Sequence, residues 1–132
     1  MSMAARAIDN HSLEASVATT FDVLSWEMEL AAARSIMLDA AIGDMMKVIP
    51  EHEQDRFVET MHTIDLLSQQ LTSLSAFARS MSGHVNEDTS APVGPALRDI
   101  TLSALADRMS AALGGASKGI VDHDQAGDLD LF

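Results

Sequence analysis

The chain has 132 residues, too few for two well-buried domains, and 47% of them are hydrophobic, too many for a chain kept disordered by composition. Eight Lys and Arg against twenty Asp and Glu give a formal charge of −12, which repels phosphate backbones and anionic lipid and argues against nucleic acid or membrane surfaces as partners. The absence of Cys removes disulfide and thiolate chemistry.

Aromatic residues make up only 4% of the chain, with no Tyr and a single Trp26. The apolar content is mainly Ala, Leu, Met and Ile, which form helices readily and sheets poorly. No run approaches the roughly 20 apolar residues of a membrane span, and Met1–Arg6 lacks the apolar core of a signal peptide. The expected setting is the cytoplasm and the expected class is all-α.

Residues 1–11 read as a loose N-terminal arm. Helical signals begin at Ser12, a candidate N-cap, with Glu14 early in the first turn. Leu13, Val17, Phe21, Leu24, Met28, Ala31, Leu38, Ile42, Met45 and Ile49 then recur in steps of three and four, interrupted at Ser35. Val23, Leu30, Met37 and Ala41 add a second stripe. Pro50 ends this helix and suits the first turn of the next. There, Glu51, Glu53 and Asp55 favour the positive end of the dipole.

The second helix carries Phe57, Met61, Ile64, Leu67, Leu71, Leu74, Ala78 and Met81, and Gly83 is its expected stop. A connection this short makes the two helices antiparallel neighbours. Residues 12–83 therefore read as a long helical hairpin. Two helices cannot enclose a core alone, so a homodimeric four-helix bundle is expected.

Residues 84–95 combine Gly, Pro, Asn and Asp with little periodicity and read as a linker. A short amphipathic helix is expected over 96–113, closed by Gly114–Gly115. Residues 114–132 read as a flexible, acidic C-terminal segment.

One constellation on the second helix suits chemistry. His62, Asp65, Gln69 and Thr72, at steps of three, four and three, share a face beside the apolar stripe. An acid and a carboxamide one turn apart fit hydrolysis of a phosphoryl group carried by another protein. Such a reaction asks chiefly for an in-line nucleophile and balanced charge. The Gln amide oxygen can hold water, its NH₂ can touch a phosphoryl oxygen, and its neutrality avoids repulsion.

The string Ile64-Asp65-Leu66-Leu67-Ser68-Gln69-Gln70-Leu71 resembles the Asp-x-x-x-Gln signature of the CheZ family of chemotaxis phosphatases and its smaller CheT-like relatives. The terminal Asp124-Gln125-Ala126-Gly127-Asp128-Leu129-Asp130-Leu131-Phe132 is similar to the acidic, Phe-ended segment with which that family grips its response regulator. The resemblance implies a hairpin that dimerises into a four-helix bundle. It also implies hydrolysis of the phospho-aspartate of a CheY-like response regulator.

By that resemblance Gln69 orients the attacking water and Asp65 meets an active-site Lys of the regulator. Asp128, Leu129, Asp130, Leu131 and Phe132 bind the partner. The protein needs no cofactor or metal of its own, since the regulator supplies Mg²⁺. The hairpin is much shorter than in a full-length CheZ, Asp65 lies close to the turn, and helix 96–113 has no counterpart there.

Two other readings stay open. One is an acidic helical adaptor without chemistry. The other is a histidine phosphotransfer protein using His62, although no Lys or Gly accompanies that His as such domains require. His11, His52, His84 and His123 form no i, i+4 ligand pair.

Overall fold

The computed structural model describes residues 13–115, so the expected cap Ser12, the N-terminal arm and the acidic tail lie outside the described residues. The chain is mostly helical, with two long helices packed against each other and smaller helices beyond them. Strand β1 (Glu14–Ser16) leads into helix α1 (Val17–Met45). Single 3₁₀ turns at Met46–Val48 and Glu51–Glu53 lead into helix α2 (Gln54–His84). Strand β2 (Ser90–Pro92) and helices α3 (Gly94–Arg98) and α4 (Ser103–Ala112) follow. By contact the chain divides into two units, Leu24–His84 and the residues on either side of it.

In the first unit Pro50 does what its ring dictates. Ile49 before it is extended, with ψ of 140°, and the chain re-enters a helix within four residues. The Gln54 side-chain amide donates to the Ile49 carbonyl at 3.3 Å and fastens the turn.

The facing surfaces of the hairpin differ from the expected stripes. On α1 the inward row is Ser25, Met28, Ala32, Ser35, Asp39 and Ile42. On α2 it is Phe57, Met61, Ile64, Ser68, Leu71, Ser75 and Ala78. Both rows alternate steps of four and three, the a and d positions of a heptad. Leu24, Leu38, Met45, Leu67 and Leu74, expected inside, are exposed.

The physical reason is close approach. Ser25 and Ser75 are 1% and 2% exposed. The Ser75 hydroxyl donates to the Ser25 carbonyl at 2.9 Å, and the Ser25 hydroxyl lies 2.8 Å from Ser75 Oγ. Leucine at either position would hold the backbones too far apart for these bonds.

The second unit contains strands that the helix-forming composition did not announce. β1 pairs antiparallel with β2 in the register Glu14↔Pro92, Ala15↔Ala91 and Ser16↔Ser90. The ladder is extended by Val17 N–H to the Thr89 carbonyl and Val93 N–H to the Leu13 carbonyl, both 2.9 Å. Residues 84–95 thus include a strand, and α1 starts at Val17, where the Ser16 hydroxyl accepts from the Thr19 N–H at 3.3 Å.

The helix expected over 96–113 is two helices. Ile100 and Thr101 are β-branched, and Leu102 turns extended with ψ of 106°. Helix α4 ends in a Schellman motif. Gly114 takes φ of 93°, and Gly115 N–H reaches the Ser110 carbonyl at 2.7 Å. A Cβ on Gly115 would lie 2.6 Å from Ser110 Oγ and 2.9 Å from Leu13 Cδ2, so any other residue there would displace those two side chains. Among the described residues of this unit, Val93, Met109 and Leu113 are the buried hydrophobic ones.

Candidate functional site

The heptad gives the hairpin two unlike sides. The Arg79 guanidinium donates to a Glu29 carboxylate oxygen at 2.7 Å and marks one of them. Residues at steps of seven from that pair share its side: Glu29, Ile36 and Gly43 on α1, and Val58, Asp65, Thr72 and Arg79 on α2. The opposite side carries Leu24, Ala31, Leu38 and Met45 on α1, and Thr60, Leu67, Leu74 and Met81 on α2.

Asp65 and Gln69 therefore lie along or next to the side of the Glu29–Arg79 pair, both exposed, as are His62 and Thr72. Gln69 Nε2 donates to Asp65 Oδ2 at 3.0 Å. An exposed i, i+4 pair of this kind is worth about 0.2–0.5 kcal/mol, enough to bias a rotamer. It also chooses between the two faces of the amide. Turning the amide over would set Gln69 Oε1 against the carboxylate, so the bonded arrangement points Oε1 away from it. That oxygen keeps its lone pairs for a water molecule, and the second amide hydrogen is available to an acceptor.

The backbone beneath the pair is regular. Ser68 turns its hydroxyl back to the Asp65 carbonyl at 3.0 Å instead of competing for the site. Two heptads from the Glu29–Arg79 pair the corresponding positions are Gly43 and Asp65. An added Cβ at Gly43 would sit 3.7 Å from Met61 Cε, an ordinary contact, so packing within the hairpin does not demand glycine there.

Two features escaped the sequence reading. The Glu29–Arg79 bridge was invisible until the register was known. Asp39 lies in the inward row, and its Oδ1 is buried without a hydrogen-bond partner. A depression of about 270 Å³ lined by Glu53, Arg56, Phe57 and Thr60 lies near the start of α2 and does not include Asp65 or Gln69. Among the described residues no three His, Asp or Glu side chains converge as a metal-binding group. No described helix is long and apolar enough to cross a membrane. The expected partner-binding residues Asp128, Leu129, Asp130, Leu131 and Phe132 are outside the described residues.

Against this geometry, a family described as a domain of unknown function, DUF8776, matches residues 13–132. The chain belongs to the DUF8776 family. The match takes in the hairpin, the strand pair, both short helices and the acidic end. No curated protein and no solved structure matches this DUF8776 chain.

Proposed function

We propose that the hairpin accelerates hydrolysis of the phospho-aspartate of a CheY-like response regulator in bacterial chemotaxis signalling. The observation that carries this reading is the exposed Asp65–Gln69 bond, which leaves the Gln69 amide oxygen directed away from the carboxylate. In the proposed reaction that oxygen holds a water molecule in line with the phosphorus. The water oxygen bonds to phosphorus, the bond between phosphorus and the aspartyl oxygen breaks, and phosphate departs from a restored carboxylate.

Charge in the transition state spreads over the phosphoryl oxygens and is balanced by the regulator's own Mg²⁺. The neutral Gln69 approaches without repulsion, whereas Glu would oppose the phosphoryl group. Asp65 retains Oδ1 to meet a cationic side chain of the regulator. Residues 128–132 act as a tether that raises the local concentration of the regulator. The resemblance of both motifs to the CheZ family supports these roles, and the setting is cytoplasmic.

A non-catalytic adaptor is the second reading, favoured by the large apolar side chains that the hairpin leaves outward. Turnover separates the two. A sub-stoichiometric amount of the protein should clear a molar excess of phosphorylated regulator. Binding without turnover would select the adaptor. The phosphotransfer reading through His62 predicts instead that label passes from the regulator to this chain.

A further inference from the structure

The exposed threonines of α2 do not all use their hydroxyls alike. Thr60 donates to the Arg56 carbonyl at 3.0 Å and Thr63 to the Glu59 carbonyl at 3.1 Å, each four residues back. Such a bond is the usual resting place of a hydroxyl on a helix surface. Thr72 is exposed too, yet among the described residues its hydroxyl has no hydrogen-bond partner. That free hydroxyl stands next to Gln69.

Asp65 lies one turn before Gln69 and draws its Nε2 back at 3.0 Å, so Oε1 is directed away from the carboxylate. Thr72 lies beyond Gln69, three residues on, a spacing that sets the two Cβ atoms about 5–6 Å apart. Side chains on a helix lean toward its N-terminus, so Thr72 covers the turn that carries Gln69. Two hydrogen bonds of about 2.8 Å placed end to end span such a gap through a single water molecule. Neighbouring hydroxyls are placed otherwise. Ser68 is buried and gives its hydroxyl to the Asp65 carbonyl at 3.0 Å. Ser73 falls in the seven-residue row of Leu66, whereas Thr72 shares the row of Asp65.

We infer that Thr72 is the second residue that holds the attacking water, which donates one hydrogen to Gln69 Oε1 and the other to Thr72 Oγ1. This role rests on the reading of Gln69 as the water-holding group. Two acceptors fix the direction of the remaining lone pairs, which one acceptor alone leaves free to swing. In a loose transition state little of the new bond to phosphorus has formed, so the water keeps both hydrogen bonds until late. One of its protons then passes to a phosphoryl oxygen. Phosphate leaves carrying both protons, and the aspartyl oxygen keeps the electron pair of its broken bond.

The test compares Thr72→Val, which removes the hydroxyl and keeps the shape, with Thr72→Ser, which keeps the hydroxyl. Decay of phosphorylated CheY-like regulator is followed over a series of regulator concentrations with each full-length variant. Thr72→Val should lower the saturating rate about three- to tenfold, the worth of one neutral hydrogen bond, without moving the half-saturating concentration. Thr72→Ser should restore the rate, and Ser73→Ala should match the wild type. Equal losses in Thr72→Val and Thr72→Ser would overturn the inference, since they would report packing and not the hydroxyl. A wild-type rate in Thr72→Val, alongside acceleration that Gln69→Ala abolishes, would overturn it while leaving the reading of Gln69 in place. A wild type that accelerates nothing would overturn both.

Discussion

Asp65 has two tasks in this account, and they separate by substitution. Its Oδ2 accepts from the Gln69 amide, and in the proposed reaction its negative charge meets the regulator. Asp65→Asn keeps an oxygen for Gln69 Nε2 and removes the charge. It should therefore weaken regulator affinity about tenfold, the value of one charge-assisted hydrogen bond, while the decay rate at saturating regulator stays close to wild type. Asp65→Ala removes both and should lower affinity and the saturating rate together. Decay rates measured over a series of regulator concentrations distinguish these outcomes. Equal saturating rates in the two variants would show that the bond to Gln69 does not position the amide. Asp39 is a different case, a carboxylate in the inward row with one buried oxygen unpartnered. Replacing it with Leu removes that desolvation cost and should stabilise the fold by about 1–3 kcal/mol, read as a higher denaturant midpoint. A lower midpoint would mean that the carboxylate is satisfied in solution.

At the scale of elements, the two long helices and the turn at Pro50 were legible because heptad steps and a proline are local signals. The inward rows were not. Both the observed rows and the expected stripes recur at three and four, and they share Met28, Ile42, Phe57, Met61, Ile64, Leu71 and Ala78. Elsewhere hydrophobicity favours the larger of two adjacent candidates, Leu24 over Ser25 and Leu74 over Ser75. Backbone proximity decides burial instead, through the Ser25–Ser75 bonds. Ser75→Leu should accordingly lose two hydrogen bonds and overpack the contact, destabilising the hairpin by about 2–4 kcal/mol. Thermal unfolding would show this, and an unchanged midpoint would contradict the close approach. The strand pair was illegible for another reason. Three residues from each of two segments more than seventy positions apart carry no periodicity, and only pairing reveals them. The Asp65–Gln69 spacing was readable, but its orientation was not: the side containing Glu29 and Arg79 emerges only from the register between helices.

For the whole molecule, the proposed function divides the work between the hairpin, which carries Asp65 and Gln69, and the acidic terminal residues, which would tether the regulator. Removing residues 126–132 should reduce regulator affinity while the decay rate at saturation is preserved. Unchanged affinity in a binding titration would discard the tether. The DUF8776 match over 13–132 includes both parts in one family, so the hairpin and the end of the chain belong to the same unit of descent. The most direct test of the central claim is decay of a phosphorylated CheY-like regulator with wild-type protein and with Gln69→Ala. The account predicts accelerated decay with the wild type and return to the regulator's intrinsic rate with Gln69→Ala, while the variant still binds. Decay unaffected by the wild type, or accelerated equally by both proteins, would contradict it.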